Sequence, residues 1–88
     1  MHYVHMNQGV CSKAVEFDLD ESGKLSNVSF FGGCDGNLRA IGKLVEGADA
    51  MEIANILEGN NCGRRPTSCG DQLSRAIKKA LSGELAAE

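Results

Sequence analysis

Val10-Cys11-Ser12-Lys13-Ala14-Val15-Glu16-Phe17-Asp18-Leu19, followed by Glu21-Ser22-Gly23-Lys24 and then by Leu25 to Phe31, is the stretch that decides the fold. Val15, Phe17 and Leu19 alternate with Glu16 and Asp18, the two-residue period of a half-buried strand. Glu21 to Lys24 reads as a turn in which Gly23 supplies a positive φ. Leu25 to Phe31 then reads as a second strand with Val28 and Phe30 in phase. A two-residue loop at Ser22-Gly23 sets Glu21 opposite Lys24, Phe17 opposite Val28 and Val15 opposite Phe30. Both apolar sets then share one face, which favours this register over its one-residue neighbours. Leu25 is the residue that does not fit the set.

Outward from the hairpin, a short strand around Tyr3 to Met6 adds to the sheet, and the second half of the chain is helical. Asp35 is placed to cap a helix over Asn37 to Glu46, with Leu38, Ile41 and Val45 on one stripe and Gly47 as its stop. Asp49 with Glu52 forms a capping pattern ahead of Ile53, Ile56 and Leu57, ended by Gly59. Ser68 with Asp71 opens a last helix in which Leu73, Ala76, Ile77, Ala80 and Leu81 recur at helical spacing. Strands first and helices after predict an α+β domain, a small antiparallel sheet with about three helices on one face.

The 88 residues allow one small domain, of a size that buries only about 60% of its unfolded surface. Apolar residues at 42% and charged residues at 24% describe a folded chain rather than a disordered one. A net charge of −3 and aromatics at 5% exclude a basic, base-stacking nucleic-acid binder. No apolar run reaches the roughly 18 residues needed to span a bilayer, and MHYVHMNQGV carries no charged and apolar leader pattern. A cytoplasmic protein is the expectation.

Four cysteines are many for a reducing compartment, where structural disulfides are rare and a metal site or redox chemistry explains them better. Their spacing, C-x22-C-x27-C-x6-C, is not a zinc-ribbon knuckle. The inferred elements add to it. The hairpin register sets Cys11 directly across from Cys34. Cys69 falls in the first turn of its helix, where the dipole and the unpaired N–H groups favour the thiolate that a metal needs. Cys62 lies on a glycine-containing loop that can fold back. Three or four thiolates can therefore converge at one end of the sheet, and all four cysteines are candidate metal ligands. Burial as small hydrophobes, or a Cys11–Cys34 disulfide, are the alternative readings.

Other candidates are weaker. Gly32-Gly33-Cys34-Asp35-Gly36 lacks the spacing of a phosphate loop, and its glycines are read as letting the backbone turn around Cys34. Arg64-Arg65 is a candidate anion or nucleotide contact. His2 and His5 read as strand residues rather than ligands. Asp35 and Asp71 read as helix caps rather than general bases, and Arg75, Lys78 and Lys79 as complements to a helix dipole. No catalytic residue is nominated.

The segments Phe30 to Leu38 (F-x-G-G-C-x-G-N-L), Cys62-Gly63 and Thr67 to Leu73 (T-S-C-G-D-Q-L) resemble the TSCPD domain, and most closely its small stand-alone branch with four cysteines. Gly70 stands where the namesake proline would be. The resemblance runs from about Cys11 to Leu81 and implies one TSCPD-like domain over residues 1–83, with Cys11, Cys34, Cys62 and Cys69 as the family cysteines; the tail at 84–88 reads as frayed from its terminal position. Related domains end adenosylcobalamin-dependent ribonucleotide reductases, and many stand-alone members are labelled ribonucleoside-diphosphate reductase through that kinship. A more distant similarity is to U-type iron–sulfur scaffold proteins, whose three cluster cysteines match Cys11, Cys34 and Cys69. Lys13 and Ser68 replace that family's Asp and His.

The combined expectation is a four-thiolate metal-binding accessory module in a ribonucleotide-reductase context, with zinc favoured over an iron–sulfur cluster. The alternatives are a thiol redox partner using Cys62 with Cys69, or a cluster scaffold or carrier. The partners this implies are a ribonucleotide reductase, another redox protein or a second copy of the chain, with neither membrane nor nucleic acid. The chain is too short for a radical barrel, so autonomous ribonucleotide reduction is not expected.

Overall fold

Alternation in the first third of the chain builds a sheet, and the helical stripes that follow cover it. The computed structural model describes residues 1–10, 12–33, 35–60 and 67–88. Strands β1 (His2–Met6), β2 (Ser12–Leu19) and β3 (Leu25–Gly32) form a three-stranded sheet in that order, antiparallel throughout. Helices α1 (Asp35–Val45), α2 (Ala50–Leu57) and α3 (Cys69–Ser82) follow. The expected α+β architecture is the observed one. α1 begins at Asp35, two residues earlier than its stripe suggests, and Gly47 just beyond its end has φ 76°.

The hairpin register is the expected one at Ala14–Phe31, Val15–Phe30 and Glu16–Ser29 and departs from it on either side of these pairs. Toward the turn, Asn27 adopts a left-handed φ of 53° and the pairing slips by one, so that Leu25 faces Leu19 and Ser26 faces Asp18. This bulge resolves the Leu25 misfit. The extra residue returns Leu25 to the core face, where it is 1% exposed. The loop has three residues between Asp20 and Lys24 rather than two. Gly23 takes the positive φ (83°), and Asp20 Oδ1 accepts from Ser22 and Lys24 N–H groups at 2.9 Å each. Toward the other end, a second shift between Ser12 and Ala14 sets Ser12 opposite Gly32, not Gly33. The expected Cys11–Cys34 pairing lies outside the described residues.

Val15, Phe17, Leu19 and Leu25 meet Ala54, Leu73, Ala76 and Ile77 in one core, and Tyr3 stacks on Phe17 with centroids 5.6 Å apart. Each large side chain buried here contributes about 1.5–3 kcal/mol. Ser74 Oγ donates to Ala54 O at 2.6 Å, locking α3 to α2 inside that core. The beginning of β3 is covered by the α1–α2 connection through Leu25 N–H to Ala48 O (2.8 Å) and Gly47 N–H to Leu25 O (2.7 Å). α1 lies so close to β3 that a Cβ on Gly42 would meet Val28 O at 2.7 Å, which makes that position a glycine by necessity. At the other end Leu85 packs against the core and Glu88 N–H donates to His2 O at 2.8 Å. None of the described helices is long and apolar enough to cross a membrane.

Candidate thiolate site

The start of α3 is held by more polar contacts than a helix cap needs. Ser68 has an extended φ of −146°, and its Oγ accepts from Asp71 N–H at 3.1 Å while donating to Asn60 O. Asp71, 2% exposed, does a different task from the expected cap. Its Oδ1 accepts from Gly59 N–H at 2.8 Å, its Oδ2 from Thr67 Oγ1 at 2.5 Å, and Arg75 Nε sits 2.9 Å from Oδ2. Burial pushes its carboxyl up, but the Thr67 hydroxyl, the Gly59 N–H and Arg75 together hold it below the usual carboxylate range. Gln72, also buried, donates to Thr67 Oγ1 at 3.0 Å and accepts from Gln8 N–H at 3.2 Å. The α2 end, the β1–β2 connection and α3 are thereby fixed to one another around Cys69.

Cys69 is the first residue of α3 and is half-buried. Its Sγ lies 2.9 Å from Ser12 Oγ, a buried hydroxyl that the shift beside Lys13 brings out of the alternation to the helix side of the sheet. Asn7 Nδ2 donates to Ser12 Oγ at 2.8 Å, so the hydroxyl bridges the Asn7 amide and the Cys69 sulfur. The other end of that amide, Oδ1, accepts from His5 Nδ1 at 3.1 Å, so Nδ1 carries the proton of the ring. Burial pushes the His5 imidazole below 6.5, the Asn7 bond opposes this, and Lys79 and Arg75 add repulsion; the ring is neutral at pH 7. A hydrogen-bonded chain from His5 through Asn7 and Ser12 thus ends on the Cys69 sulfur.

Cys11, Cys34, Cys62, Arg64 and Arg65 lie outside the described residues. Their described neighbours are brought together. Ser12, next to Cys11, pairs with Gly32, two residues before Cys34, and touches Cys69. Asn60, two residues before Cys62, is bonded to Ser68, next to Cys69. Gly32 and Gly33 both have positive φ (80° and 82°), as a tight backbone turn ahead of Cys34 requires. Among the described residues no group of three or more His, Cys, Asp or Glu is placed to hold a metal ion, so a metal site needs the cysteines beyond them. His2 belongs elsewhere, with Nδ1 2.5 Å from Asp18 and Nε2 3.0 Å from Glu16 on the opposite side of β1 from His5.

A model of the TSCPD domain matches residues 1–81. The chain belongs to the TSCPD domain family. Compared with the curated proteins and with solved structures, it finds no match in either. In this TSCPD domain the Thr-Ser-Cys triplet has distinct structural tasks. Thr67 buttresses Asp71 and Gln72, Ser68 caps α3 and ties it to Asn60, and Cys69 presents its sulfur to β2. A Cβ on Gly70 would meet Asn60 and Leu57 at 3.5 Å, ordinary contact distance, so the position accepts a side chain. Sequence reading missed Ser12, Asn7 and His5 as site residues. Ser12 carried one signal, its place beside Cys11. His5 and Asn7 carried none, because their link to Cys69 exists only through a bulge and strand pairing.

Proposed function

We propose that this TSCPD domain is a small thiolate metal-binding module, with Cys11, Cys34, Cys62 and Cys69 as ligands and zinc as the metal. The observation that carries the reading is that a described neighbour of every cysteine is linked toward Cys69: Ser12 touches it, Gly32 pairs with Ser12, and Asn60 is bonded to Ser68. The donor set fits zinc. Thiolates are its preferred structural ligands, and a hydroxyl bonded to Sγ is the outer-shell contact that orients such a ligand. Bound there, zinc supplies a cross-link between the hairpin, the α2–α3 connection and α3, with no open position for catalysis. Such a module serves as an accessory or interaction domain in the cytoplasm, and the family's kinship points to a ribonucleotide-reductase context.

Thiol exchange with a reductase is the second reading, favoured by the half-buried, hydrogen-bonded Cys69. Counting alkylatable thiols before and after a chelator separates the two. Thiols that become reactive only after chelation support the metal module. Four thiols reactive from the outset, and lost in pairs to mild oxidant, support exchange.

A further inference from the structure

A cleft of about 400 Å³ opens between the end of β1 and α3, distinct from the Cys69 sulfur. Its lining includes His5, Thr67 and Gln72, all more than nine-tenths buried, together with Arg75 and Lys79 one helical turn apart. Among the described residues no carboxylate lines it. Among the described residues the Lys79 ammonium has no acidic partner, whereas its neighbour Lys78 is paired with Glu58 at 2.9 Å. Arg75 holds Asp71 through Nε and lines the cleft at 55% side-chain exposure.

His5 decides the ligand. Nδ1 is committed to Asn7 Oδ1, so the neutral ring presents Nε2 as a lone pair, and among the described residues Nε2 has no hydrogen-bond partner. Two cations beside a proton acceptor suit an oxyanion that also carries a proton. A phosphoryl group meets both demands, with P–O oxygens for Arg75 and Lys79 and a P–OH proton for Nε2. Sulfate, fully ionised at neutral pH, meets only the first.

We infer that the His5–Arg75–Lys79 cleft binds a phosphoryl group, free or as the phosphate of a nucleotide. The β1–β2 connection forms its rim at Gly9, where an added Cβ would touch the Thr67 methyl at 3.4 Å, so the rim lies close against the cleft wall.

The test is an amide-resolved NMR titration of the full chain at neutral pH and fixed ionic strength, with inorganic phosphate, sulfate and a nucleoside diphosphate as separate probes. Phosphate is expected to shift Gly9, Gln72 and the His5 ring saturably and more strongly than sulfate. Lys79→Gln, on an exposed side chain, weakens it roughly tenfold with the spectrum of the fold intact, while Lys78→Gln leaves it unchanged. A nucleoside diphosphate that binds tighter than phosphate makes the source a nucleotide; equal affinity makes it the phosphoryl group alone. Absence of saturation, equal losses in the Lys78 and Lys79 variants, or sulfate binding as well as phosphate would overturn the inference. None of these variants touches a cysteine, so the outcome is independent of the metal reading.

Discussion

Ser12 Oγ lies 2.9 Å from Cys69 Sγ, joining the first residue of β2 to the first residue of α3 across 57 positions of sequence. Removing the hydroxyl takes a partner from the Asn7 amide and from the sulfur at once. Ser12→Ala is therefore expected to cost about 1–2 kcal/mol, read as a lower denaturant midpoint at unchanged slope. In metal-loaded protein the same variant releases metal to a chelator several-fold faster, the behaviour of a lost outer-shell contact. Ser12→Thr, which keeps the hydroxyl, restores most of both.

Two glycines of the helices should respond oppositely to alanine. At Gly42 the new Cβ would sit 2.7 Å from Val28 O, a backbone atom that cannot step aside, so Gly42→Ala separates α1 from β3 and destabilises by about 1–3 kcal/mol. At Gly70 the nearest atoms are 3.5 Å away, and Gly70→Ala gains about 0.5–1 kcal/mol by relieving the glycine of its backbone entropy. Thermal melts of the pair decide it. A stabilising Gly42→Ala would mean that α1 does not lie on β3 as described.

Asn27 is the hinge of the hairpin register. Its φ of 53° is tolerable for asparagine, whose amide also donates to Asp18 Oδ2 at 2.9 Å. Asn27→Val is expected to lose about 1–2 kcal/mol and Asn27→Gly to stay within a few tenths, measured by chemical denaturation. Deleting the residue would turn Leu25 to solvent and unfold the hairpin.

Two charged groups give stability opposite pH dependences. The Asp71 carboxyl is held below the usual range, so its contribution is complete above about pH 4 and disappears as pH falls through its folded value. His2 is the reverse. The Asp18 bond, with Glu16 adding to it against some desolvation, raises it above 6.5; its contribution is complete below that value and lost as pH rises through its folded value. The difference in melting temperature between wild type and His2→Gln should therefore shrink on going from acid to alkaline pH, and that for Asp71→Asn should shrink only in strong acid.

What the sequence made legible was set by local chemistry. The alternation of Val15, Phe17 and Leu19, the Asp49 and Ser68 caps and the α3 stripe are readable because neighbouring residues decide them, and all three appear as expected save that Leu81, the last residue of the stripe, is exposed. The two register shifts were not readable, although Leu25 marked one of them. A bulge trades a residue of local pairing for burial elsewhere, and that balance depends on α2 and α3 packing from a distance. The candidate site divides in the same way. Cys69 at a helix start followed from its neighbours, whereas the hydrogen-bonded chain His5–Asn7–Ser12 needed three segments folded together. Asp71 followed half-way: its place in the first turn was legible, its grip on Gly59, Thr67 and Arg75 was not.

The central claim is that the four cysteines form one metal site, and elemental analysis of anaerobically purified protein tests it most directly, with Cys62→Ser and Cys69→Ser prepared in parallel. The account predicts about one zinc per chain in the wild type, as a four-thiolate site requires, and its loss in both variants. Folded protein without metal, with all four thiols titratable, would contradict it.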